Sequence, residues 1–233
     1  MDSILTPLIP EPSISLRAVS CASGFGLPVS ADFAPARFHL LSGESGGLLR
    51  VLGLLDLPES GEVLVGGRAT TALDEEARAE LRAQRFGFVF AAPFLLTSFS
   101  VIENVAMPLF KISQVEPDEA RRRTDRLLAF AEMSEAAESP IEDLTLRAQY
   151  HVALARGLAN GPAVLFVENL DGALAGDERA GFAALLRRVP AELGTAVIAT
   201  ASSAFPVEKG DRVLEFARGV IVRDSLLQPE PEA

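Results

Sequence analysis

The chain has 233 residues, 48% of them apolar and 23% charged, which is ample material for a buried core and lies far from the composition of disordered chains. Its 32 acidic against 21 basic side chains give a formal charge of −11, a surface that repels nucleic-acid phosphates and argues against nucleic acid as a partner. One cysteine, Cys21, allows no internal disulfide and fits a reducing compartment.

The first sixteen residues contain Asp2 and Glu11 but no Lys or Arg, so the basic start of a secretory leader is missing. Pro10 and Pro12 make this entrance extended. A strand is expected at 14–19 and a second at 37–42, followed by a glycine-rich turn and a helix over 48–55. The apolar run 48–57 is interrupted by Arg50 and Asp56, and no stretch approaches the roughly 18 to 20 residues that span a bilayer. Next come a strand at 62–65, a helix at 74–84 and a strand at 86–90. The stretch 100–139 reads as almost wholly helical, including a helix at 117–131, as a helical lobe of about 99–143 inserted between sheet segments would. Asp118 and Glu119 lie in the first turn of that helix, where carboxylates suit the helix dipole. A helix at 144–159, a strand at 164–167, a helix at 177–189 and strands at 195–200, 212–216 and 220–223 complete an α/β pattern. The expected organisation is one domain over 1–227 and a flexible tail at 228–233, where two prolines and two glutamates cluster.

The turn Gly43-Glu44-Ser45-Gly46-Gly47 sits between a strand and a helix, the layout in which backbone N–H groups surround an anion. It is followed by Gly53-Leu54-Leu55-Asp56-Leu57-Pro58, Gly87-Phe88-Val89-Phe90, Val101-Ile102-Glu103-Asn104-Val105, Val152-Ala153-Leu154-Ala155-Arg156-Gly157-Leu158 and Asp211-Arg212-Val213-Leu214. Together, over about 14–222, these segments resemble an ABC-transporter ATP-binding subunit of the lipoprotein-release, macrolide-export and cell-division branch. The resemblance implies a P-loop NTPase-like core with an antiparallel β subdomain and an inserted helical lobe. It also implies a membrane permease subunit as partner, with or without a competent ATP-binding subunit beside it, and a cytoplasmic place peripheral to the inner membrane.

Several chemistry-bearing positions of that family carry other residues here. The phosphate turn is four residues short and lacks the lysine and both hydroxyls that face phosphate and Mg²⁺. Ala91 stands where the family has a glutamine, and Glu168-Asn169 where it has Asp-Glu. Ala175 replaces an interface aspartate, Ala201 the switch histidine and Ser23 an adenine-stacking aromatic, with Phe25 close enough to substitute. The signature segment reads Leu144-Thr145-Leu146-Arg147-Ala148-Gln149, without the two glycines of the family. These departures imply no catalytic residues, no cofactor, and a non-hydrolysing structural or regulatory subunit that is a monomer in isolation. The alternative is a working ATP-binding subunit, with ATP and Mg, that couples hydrolysis to export or lipoprotein release. Phe94, Leu95, Leu96, Phe99, Glu103 and Asn104 fall in the region that receives the permease in the family. His39 and His151 are read as structural.

Overall fold

A computed structural model describes residues 13–21, 27–45, 47–172 and 174–227. The adenine-stacking candidates Ser23 and Phe25, Gly46 of the phosphate turn and the tail at 228–233 lie outside the described residues.

Two sheets share one apolar layer. The smaller contains β1 (Ile14–Ser20), β2 (Val29–Phe33), β4 (Ser60–Val65) and β5 (Arg68–Ala69) in the order β2-β1-β4-β5, all antiparallel. The larger runs β10-β9-β3-β8-β7-β6, from β3 (Phe38–Gly43), β6 (Phe86–Val89), β7 (Val164–Val167), β8 (Ala196–Ala201), β9 (Arg212–Ala217) and β10 (Val220–Asp224). Its pairings are parallel except that of β10 with β9. The expected mixed α/β architecture is thus observed. β2 was not expected, although its sequence Val-Ser-Ala-Asp-Phe alternates buried and exposed residues as a half-buried strand should.

Strand alternation divides the larger sheet between two cores. Leu41, Phe166, Ile198 and Leu214 face the small sheet and α1 (Leu48–Leu52). Their neighbours Leu40, Leu165, Val167 and Val197 face α5 (Leu146–Leu158) and α6 (Gly176–Leu193). Parallel strands buried on both faces must be apolar throughout, which explains the continuous runs in β3 and β7. α2 (Glu75–Arg85) starts where the Asp74 carboxylate accepts the Ala77 N–H at 2.9 Å, and α3 (Val101–Pro108) starts at a reciprocal Ser100–Glu103 capping box. α4 (Pro117–Phe130) has Pro at its first position, where a missing N–H costs nothing. α3, a π turn at Leu109–Ser113 and α4 form the helical lobe against α5, through Val105, Leu128 and Val152 among others. Helix α6 passes the expected stop at Pro190 and ends at Gly194, whose φ of 69° closes it. Among the described residues no helix is long and apolar enough to cross a membrane.

Both histidines are buried. Nε2 of His39 donates to the Ala34 carbonyl at 2.9 Å, its ring meets Phe33 edge-on, and Nδ1 has no hydrogen-bond partner. Burial pushes the His39 pKa down from 6.5 to about 4. The folded state therefore favours the neutral ring, and the unfolded chain binds the extra proton between these values. Urea midpoints measured from pH 7 to 4 are expected to fall with falling pH, and His39→Gln is expected to flatten that slope.

Candidate functional site

The carboxyl ends of β3, β7 and β8 and the turn after β3 enclose a cavity of about 360 Å³, lined by Gly43, Glu44, Ser45, Leu49, Arg50, Glu168, Asn169, Asp171, Thr200, Ala201 and Ser202. Open parallel sheets place ligands at this edge of the strands.

The turn is fixed by its first glycine. Gly43 has φ of 80°, and a Cβ there would stand 2.4 Å from the Phe216 carbonyl oxygen. Only glycine allows β3 to pass this close to β9 before turning. The Glu44 N–H then donates to that carbonyl at 3.2 Å, and its carboxylate accepts the Arg218 N–H at 2.9 Å. In α1, Leu48, Leu49, Val51 and Leu52 are buried. Arg50 is left outside the core and at the cavity wall, where its Nε and Nη2 donate to Asp56 at 2.7 and 2.9 Å. Asp56, through the hydrogen bonds and charge of Arg50, has its pKa held below the usual carboxylate range.

On the opposite wall, Glu168 follows β7 and accepts the Ala91 N–H at 3.2 Å. Ala91 is not among the cavity residues, but its main chain links two parts of the fold. Its N–H holds Glu168, and its carbonyl accepts the Tyr150 hydroxyl of α5. The alanine methyl bridges nothing, whereas the peptide beside it does. Asn169 has φ of 53°, its N–H donates to Thr200 Oγ1 at 2.8 Å, and a Cβ on Gly172 would meet its side chain at 1.8 Å. The Asp171 carboxylate accepts the Ser202 N–H at 3.1 Å and also the Ser202 hydroxyl. Ala201 lines the cavity, while Ala175 is exposed immediately before α6.

Sequence reasoning passed over Arg50, Asp171, Thr200 and Ser202. The signal for Arg50 was the single charged position in an otherwise apolar helix after the glycine turn. The other three are brought in only by strand register.

The apolar loop after β6 presents Phe94, which is 69% exposed, with Leu96 and Phe99 partly exposed. Leu95 instead packs between α5 and the lobe. Glu103 serves the cap of α3, and Asn104 is fully buried. The Asn104 amide accepts the Leu96 N–H at 2.8 Å and donates to the Leu96 carbonyl at 3.0 Å, so it holds the loop from beneath. Arg156 of α5 donates to the carbonyls of Pro93 and Phe94, both at 2.7 Å.

No protein-family model matches the chain. It is 37% identical over 195 residues to the lipoprotein-releasing system ATP-binding protein LolD of Maricaulis maris, covering 82% of this chain and 84% of that protein. It is 34% identical over 204 residues to the macrolide export ATP-binding/permease protein MacB of Rhodopseudomonas palustris, covering 84% of this chain and 30% of that longer protein. Among solved structures, the ATP-binding cassette MJ0796, a dimer in a post-hydrolysis state bound to ADP and Pi, superposes with a TM-score of 0.76 at 25% identity over 91% of this chain.

These likenesses overturn two expectations drawn from the sequence, that the chain takes no cofactor and that it is not an enzyme. The relatives, named as ATP-binding and ATP-binding/permease proteins, match 82% and 84% of this chain, and the superposed cassette holds ADP and Pi. The physical reason lies in the cavity. The glycine turn borders open space above the strands, with a guanidinium, Arg50, on its wall, which a reading of the turn alone could not register.

Proposed function

The chain belongs to the ATP-binding subunits of ABC transporters, and from this premise we propose that it takes ATP with Mg²⁺ in the cavity at the ends of β3, β7 and β8. There it would couple hydrolysis to export or lipoprotein release by a membrane permease partner, from the cytoplasmic side of the inner membrane. The observation that carries this reading is the cavity itself, at the strand-end position where such sheets bind ligands and in a chain so close to named ATP-binding proteins.

The volume of about 360 Å³ lies at the low end of the roughly 300–1,000 Å³ typical of ligand sites and suits the phosphate end of a nucleotide. The charges decide its form. Glu44, Glu168 and Asp171 line the space with one guanidinium, Arg50, so a bare polyphosphate meets net repulsion and a metal-complexed one does not. When bound, Mg²⁺ supplies positive charge to the phosphate oxygens. Of the two residues that follow β7, Glu168 can accept a proton, whereas the Asn169 amide cannot. Of this pair, proton acceptance falls to Glu168. The exposed Phe94, Leu96 and Phe99 supply the apolar contact for a permease helix.

Calorimetric titration tests the reading. Mg-ATP is expected to give saturable heat, and ATP with a chelator is expected to bind at least about tenfold more weakly, given the carboxylates in the site. Absence of heat with Mg-ATP would overturn it.

A further inference from the structure

We propose that Arg50 is the cation that meets the nucleotide's phosphates, standing in for the lysine absent from the turn. This inference rests on the function proposed above and concerns how its site recognises an anion.

Three observations converge on Arg50. It is the one Lys or Arg among the described residues that line the cavity. It is the residue of α1 that the core leaves out, since Leu48, Leu49, Val51 and Leu52 are all buried. It also lines this cavity, and a smaller recess beside it, together with Glu168 of the opposite wall.

Asp56 holds the guanidinium in a two-bonded pair. Both side chains are about half exposed, at 48% and 47%, and exposed pairs of this kind bias an equilibrium by less than about fivefold. A phosphate carries more charge than one carboxylate and accepts the same planar fork of N–H groups. Asp56 is therefore a parking place from which Arg50 can turn, or which it can keep with one N–H while offering the others. Arg50 lies in the helix that follows the turn and lines the cavity, and its long side chain with five N–H donors suits reach to an anion there.

The test is calorimetric titration of the whole chain with Mg-ATP, in parallel with melting curves without nucleotide. Arg50→Gln is expected to weaken binding by about tenfold or more, as loss of a charge-assisted pair does, while Arg50→Lys recovers part of that loss. Should Arg50→Gln also lower the melting temperature, Asp56→Asn decides, because it removes the tether and keeps the cation. Unchanged or tighter binding by Asp56→Asn supports the assignment, and weaker binding overturns it. Wild-type affinity in Arg50→Gln overturns this inference alone. Absence of binding by the unmodified chain overturns the proposed function with it.

Discussion

Glu168→Gln is expected to lower ATP turnover by about 10²–10⁴-fold, the usual loss when a positioned proton acceptor is removed. The substitution changes little else. A glutamine oxygen can still accept the Ala91 N–H that now reaches Glu168, so the main-chain link to Tyr150 and α5 survives. Binding of Mg-ATP should then fall far less than turnover, and that separation distinguishes proton handling from loss of the site. Phosphate release under single-turnover conditions, with calorimetry as its companion, measures both. Equal turnover in the variant and the unmodified chain would remove Glu168 from the chemistry. Asn169, held at φ of 53° by Thr200 and crowded against Gly172, offers no replacement, since its amide cannot take up a proton.

Asp224→Ala is expected to cost about 3–5 kcal/mol of folding stability, the range for breaking a buried ion pair from one side. Arg212 lies in β9 and Asp224 at the end of β10, with side chains only 5% and 9% exposed, and Nη2 reaches Oδ2 at 2.7 Å. Arg212 also donates to the Asp32 carbonyl and stands over the Phe33 ring. It thereby ties the edge of the large sheet to β2 of the small one. Removal of the carboxylate leaves the buried guanidinium without its charge partner. Burial by itself would raise the Asp224 pKa, but the hydrogen bonds and charge of Arg212, with the Leu226 N–H, bring it below the usual range. Its contribution is thus present at neutral pH and lost as pH falls through the folded-state value. Urea unfolding of Asp224→Ala measures the effect, and the double variant Arg212→Met/Asp224→Leu should recover part of it by removing both charges.

The sheet strands of the core were legible because burial on both faces demands apolar runs, and β7 falls on the expected residues. β2 was hidden by length, since five alternating residues between Pro28 and Pro35 look like a loop until β1 pairs with them. Helix ends slipped where local geometry overrode composition. Leu54, at φ of 55°, stops the helix after the phosphate turn three residues early. At the site, motif positions were legible but their consequences were not. Ala91 looked inert because side chains are what a sequence displays, whereas its peptide group makes the connection. Asp171 and Ser202 meet only because β7 and β8 are neighbours, a pairing that no short window of sequence contains.

The loop that bears Phe94 is gripped from both sides, by Asn104 of α3 and by Arg156 of α5. A load applied to Phe94 is consequently shared by two helices at once, and it cannot be absorbed by the loop bending alone. One of them, α5, also carries Tyr150, the anchor of Ala91 and through it of Glu168. The surface loop and the Glu168 wall of the cavity therefore rest on one common beam, α5, tied to each by hydrogen bonds.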